Sequence, residues 1–96
     1  MTDLLEAEIQ RGEKALQLLN EPLLVEALAA LQKECTEKWQ NSPARDAEGR
    51  EKLFLMLQAS LRVEKHLKSL VESGQMASAT LVQRLGHRIG KASVAF

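Results

Sequence analysis

The chain has no tyrosine, only three aromatic residues, two prolines and a single cysteine, in 96 residues. Each scarcity excludes something. With one cysteine no internal disulfide can form, which fits a reducing compartment. With so few aromatics and scattered β-branched residues, strands have little to build on. No alternation of apolar and polar residues survives beyond four or five positions. No run of eighteen apolar residues exists to span a bilayer. The acidic, amphipathic start is wrong for a secretory signal, so a cytoplasmic protein is expected. Net charge is zero, so nothing global attracts the chain to nucleic acid or membrane.

The chemistry-bearing motifs are also missing. There is no glycine-rich dinucleotide or phosphate loop and no nucleophile elbow. His66 and His87 are the only histidines, and neither joins cysteine or carboxylate neighbours at metal-ligand spacing. Cys35 lies on an apolar helix face and is expected to be a structural thiol, because a nucleophile would need a base beside it. Neighbouring carboxylates such as Glu6 and Glu8, or Asp46 and Glu48, stand two apart on a helix and point to different sides. No catalytic residue, cofactor or metal site is expected, and the chain is read as a non-enzyme.

What is present is helix former: Leu, Ala, Glu, Gln, Lys and Arg dominate. A first helix is predicted from Thr2 or Asp3, with Leu5, Ile9, Gly12, Leu16 and Leu19 on one heptad-like seam. Gly12 on that seam means either a closely packed neighbour or a weak point. Asn20-Glu21-Pro22 is a boundary, with Asn20 ending one helix and capping the next and Pro22 at home in a first turn. A second helix over 21–40 carries Leu24, Leu28, Leu31, Cys35 and Trp39, with Glu34 and Lys38 as an i,i+4 pair. The joint allows either a fold-back hairpin or a bent continuous rod. Residues 41–45 form a loop, Asp46 caps a third and longest helix over 46–73, and Gly49 is an oddity in its first turn. Gly74 is expected to end that helix, with a short fourth helix over 78–89 and an unordered or docked end at 92–96. The fold class is all-α: a helical hairpin, one long helix and a short C-terminal helix, assembled as an oligomeric bundle. In domain terms this is a helical core, 1–74, and a basic segment, 75–96, partly helical or flexible.

Two surface features point toward partners. Residues 53–57 are apolar around more than one helical face, whereas a helix at the surface of a small monomer should show one stripe. Trp39, Leu53, Phe54, Leu55, Met56 and Leu57 are therefore the candidate protein interface, with Trp39 as either a lid on the hairpin or an anchor between subunits. Charge is also unevenly spread. Residues 1–41 hold eight acidic and four basic side chains, 42–73 hold five and six, and 74–96 hold three basic and no acidic ones. That polarity reads as a solvated surface or as head-to-tail pairing between copies. Arg62, Lys65 and Lys68 form one basic ridge and Arg84, Arg88 and Lys91 a second, the weaker candidates for anion or nucleic-acid contact.

The stretch Glu37-Lys38-Trp39-Gln40-Asn41, continuing through Ser42-Pro43-Ala44-Arg45-Asp46 to Glu51, resembles a group of small helical proteins of tailed bacteriophages and prophages. Arg11-Gly12, Asn20-Glu21-Pro22-Leu23-Leu24 and Leu70-Val71-Glu72-Ser73-Gly74 are similar too. The resemblance spans residues 9–75 and contains no catalytic motif. It implies a phage origin and a role among head, packaging or assembly proteins, and assigns no functional residues. The expected function is a protein–protein interaction module and phage assembly accessory acting as a homo-oligomer. The alternatives are a packaging-type nucleic-acid binder similar to a small terminase subunit, and an inhibitor of a host protein.

Overall fold

The computed structural model describes the backbone of residues 2–94 and the side-chain surroundings of residues 3–86. Three helices, α1 (Thr2–Leu19), α2 (Pro22–Gln40) and α3 (Ala47–Val94), account for nearly all of it, and no strand occurs among the described residues. The molecule is a rod of 77 × 25 × 18 Å. Its length is that of α3, about 72 Å at 1.5 Å per residue, and its cross-section that of two helices side by side.

One arm of the rod is α1 followed by α2, and the other is α3. Gly12 faces Gly74 and Trp39 packs with Arg50, so 27 residues of the first arm are matched by 24 of the second. α1 and α2 therefore lie lengthwise along α3 and touch each other only around their joint. Of the two joints the sequence allows, the bent continuation is the one seen. Glu21 breaks the helix there with an extended backbone (φ −73°, ψ 117°), and its carboxylate accepts from the Leu23 N–H. The cap of α2 is thus Glu21 and not Asn20, whose N–H closes α1 on the Leu16 carbonyl at 3.1 Å.

The chain reverses over 41–46. Ser42 Oγ donates to the Trp39 carbonyl at 2.6 Å. Asp46 caps α3 as expected, accepting from the Gly49 N–H at 3.1 Å. A Cβ on residue 49 would meet only that carboxylate, and the end of the Asp46 side chain would have to shift to admit it.

Two expectations are corrected. Gly74 does not end the third helix, and no separate fourth helix forms: α3 runs on to Val94, through the expected domain boundary at 74/75. No described glycine takes a positive φ, so none makes the left-handed cap that stops a helix. Gly74 is instead where the arms touch. A Cβ on it would come within 3.0 Å of the Gly12 Cα, and one on Gly12 within 2.9 Å of both the Gly74 Cα and the Leu70 carbonyl oxygen. That contact also rewrites the α1 seam. With the backbones touching, only Ala15 fits beside Gly12, at 2% exposure, while Leu16 is displaced to the edge at 46%.

Candidate functional site

The two arms do not enclose a core of large side chains. The buried described residues are Gly12, Ala15, Cys35, Ser60, Gly74 and Ala77, none of them larger than cysteine. Leu5, Ile9, Leu24, Leu28, Leu53, Leu57 and Leu67 are only half-buried. A two-helix layer has no third element to close over its flanks, so every large side chain keeps an open side.

Three open grooves between the arms show where that surface lies. The first, of about 210 Å³ near the turn, is lined by Cys35, Thr36, Trp39, Leu53, Phe54 and Leu57. The second, of about 230 Å³ at mid-rod, lies among Leu18, Leu28, Ala29, Gln32, Glu64 and Lys68. The third, of about 190 Å³, flanks the glycine crossing at Ile9, Leu16, Val71, Gln75 and Ser78. Their α3 residues repeat by sevens: Leu57, Glu64, Val71 and Ser78 are one heptad apart. Residues a heptad apart stay on one slowly winding face. On α2, Val25, Ala29, Gln32, Thr36 and Trp39 follow at steps of four and three. The grooves therefore open on the same side and form one furrow along the rod.

At the turn end, Arg50 ties the furrow to the loop. Its guanidinium lies 4.3 Å from the Trp39 ring centroid and donates to Ser42 Oγ at 3.0 Å, to the Ser42 carbonyl at 3.3 Å and to the Trp39 carbonyl at 3.4 Å. The cation over the indole holds Trp39 at the mouth of the furrow with 43% of its surface exposed. Arg50 was missed from sequence, because nothing in its spacing shows that the loop folds back under it. At mid-rod Gln32 Nε2 donates to Glu64 Oε1 at 2.8 Å, the only hydrogen bond from one side chain to another between α2 and α3 among the described residues. The described ion pairs, Lys33–Glu37, Lys38–Glu34 and Lys52–Glu48, are all exposed i,i+4 contacts within a helix. In the 2.7 Å pair, the hydrogen bond from Lys38 holds Glu34 below the usual carboxylate range, and Glu34 in turn raises Lys38.

The expected interface residues are distributed around α3. Trp39, Leu53, Phe54 and Leu57 meet in the groove nearest the turn. Leu55 and Met56, one and two residues past Phe54, are turned about 100° and 200° away and line none of the three grooves. Phe54, Leu55 and Met56 are 53%, 56% and 51% exposed. Arg62, Lys65 and Lys68 are all exposed, but successive steps of three turn them by about 60° each, so they fan around the helix, and Lys68 borders the furrow. Of the second ridge, Arg84 is exposed. Arg88 and Lys91, like His87, fall outside the residues whose side chains are described, and Ala95 and Phe96 outside the described backbone.

Among the described residues no three His, Cys, Asp or Glu side chains come together, and no helix is long and apolar enough to cross a membrane. Compared with protein-family models, with curated proteins and with solved structures, the chain matches none.

Proposed function

We propose that this chain is a non-enzymatic protein–protein interaction module that works as a homo-oligomer, in the host cytoplasm, as a structural or assembly accessory of a bacteriophage. The carrying observation is the missing core. A compact protein of 10.7 kDa exposes roughly 5,500 Å² by the usual size scaling, whereas this rod exposes 7769 Å². The excess, about 2,300 Å², exceeds the ~800 Å² per partner of a standard interface. Among the described residues fourteen large apolar side chains lie exposed, Trp39, Phe54 and Leu61 included. Burying each one contributes roughly 1.5–3 kcal/mol, and association gives them somewhere to go. The phage setting rests on the sequence resemblance. The non-enzymatic reading rests on an open furrow that gathers no acid–base or nucleophile pair.

Light scattering on the purified chain tests this reading. The expected mass is an integral multiple of 10.7 kDa. A single-copy mass at high micromolar concentration would remove homo-oligomeric action. The net positive charge of α3 supports a second reading, as a packaging-type DNA binder. With no aromatic interleaved among Arg62, Lys65 and Lys68, phosphate contact alone would act. The primary reading expects no mobility shift of duplex DNA at 50 mM salt, and a shift that vanishes with added salt would favour the second.

A further inference from the structure

The furrow is long, mostly apolar at its turn end and mixed at its far end, where Ile9, Leu16 and Val71 stand with Glu13, Gln75 and Ser78, and the two arms that border it differ in charge. The α1–α2 arm, 2–40, carries eight acidic and four basic residues, a net of −4. α3, 47–94, carries four acidic and eight basic residues, a net of +4; with Gly12 level with Gly74, Arg88 and Lys91 lie past the start of α1, and the length of α3 beside the acidic arm carries a net of +2. The polarity along the sequence has become a polarity across the rod. Resting on the homo-oligomer reading above, we infer that the occupant of the furrow is a second copy of this chain, laid parallel to the first with both 41–46 turns at the same end.

The geometry follows from symmetry. Two copies meeting furrow to furrow are related by a two-fold axis either along the rod or across it. An axis across the rod sets α3 on the partner's α3 and α1–α2 on the partner's α1–α2, so that the basic arm meets a basic arm and the acidic arm an acidic one. An axis along the rod sets α3 of each copy on the acidic arm of the other, so that unlike charges meet on both sides and every neighbouring pair of helices is antiparallel. Like-charge juxtaposition is what selects against a wrong arrangement, and it selects the axis along the rod. In that arrangement Trp39, which shares a groove with Phe54, lies level with Phe54 of the partner subunit. The Gln32–Glu64 hydrogen bond lies level with its own copy, placing the mid-rod polar groups of both chains in one layer. Such a layer fixes register in helical bundles.

The α3 sequence is suited to this. Leu53, Leu67 and Leu81, a heptad or two apart, lie half-buried on the arm of their own chain. One residue past that row, at heptad spacing, Phe54, Leu61 and Val82 stand exposed, with Lys68 and Gln75 between Leu61 and Val82. A second stripe adjacent to the seam is what a helix needs when it packs on two neighbours.

The test is the distance between spin labels placed on the turn. In the full chain carrying Cys35→Ala and Ala44→Cys, the copies bring the two labels within about 35 Å, three to four helix spacings. A longer distance, up to the 77 Å length of the rod, in a protein of dimer mass overturns the parallel arrangement and leaves the homo-oligomer reading standing. A single-copy mass with no dipolar coupling overturns both, and leaves a partner of different sequence as the occupant. Where Cys35→Ala lowers helix content, Phe54→Glu and Leu55→Glu on the otherwise native chain decide. Phe54→Glu in the furrow is expected to halve the mass, while Leu55→Glu, off the furrow, leaves it unchanged. The reverse pattern, or loss of dimer mass in both, overturns the assignment of the furrow.

Discussion

Gly12 and Gly74 set the distance between the arms, and their substitution isolates that role. Alanine is the better helix former by about 1 kcal/mol, yet a Cβ at either site meets opposing backbone that no rotamer change can clear. Overpacking of that kind costs about 1–3 kcal/mol, with no slack in a backbone-to-backbone contact. Gly12→Ala and Gly74→Ala are each expected to lower the thermal midpoint by roughly 5–10 °C in circular dichroism melts. Gly86 has nothing within 4 Å of its would-be Cβ, so Gly86→Ala is expected to raise the midpoint by a few degrees. Three substitutions of the same kind then separate crossing from propensity. Arg50 offers a second case at this scale. Arg50→Ala removes three hydrogen bonds to the turn and the cation over Trp39. The expected cost is about 1–2 kcal/mol, with a shift in Trp39 fluorescence that reports the freed indole. Arg50→Lys, which keeps the charge but not the planar fork, is expected to recover only part of it.

At the scale of the element, the helices draw little on electrostatics. The Glu34–Lys38 pair is the clearest contribution, and its pH dependence has a definite sign. Glu34 is held below its ordinary value, so its contribution is present above the unfolded value and lost as pH falls through the folded one. Lys38 is raised, so its contribution is present below the unfolded value and lost as pH rises through the folded one. Glu34→Gln is therefore expected to lower the thermal midpoint slightly at neutral pH and not at all below the carboxylate range. Both side chains are exposed, so the difference stays small and fades with salt. What holds the elements in place is packing along α3, which carries the helix past Gly74. Neither proline nor a left-handed glycine interrupts it, and α1 lies against the stretch around Gly74.

The whole molecule is an open layer of two helical arms whose large side chains stay half-exposed or exposed among the described residues. No large side chain is buried among the described residues, and the proposed dimer would be stabilised by mass action. The thermal midpoint is expected to rise with protein concentration between micromolar and millimolar. A concentration-independent midpoint would show that one copy is complete in itself.

Much of this was legible in the residues. Helix formers without strand formers dictate an all-α chain. Pro22 and Pro43 mark the joint and the turn, Asp46 caps the long helix, and apolar residues on several faces of 53–57 cannot all turn inward, so that Phe54, Leu55 and Met56 stand exposed. Those are local properties, fixed by backbone sterics, hydrogen-bond capping and periodicity within a few turns. The reading failed at Gly74 because a glycine that ends a helix and a glycine that admits a neighbour look alike in sequence. Only the backbone of α1, 62 residues earlier at Gly12, distinguishes them. Leu16 and Ala15 exchanged places for the same reason. Arg50 on Trp39, Gln32 on Glu64 and the single furrow joining three grooves are contacts between residues 11 and more than 30 positions apart. Tertiary structure alone decided them, because helical periodicity says which face a residue occupies and nothing about which face lies opposite.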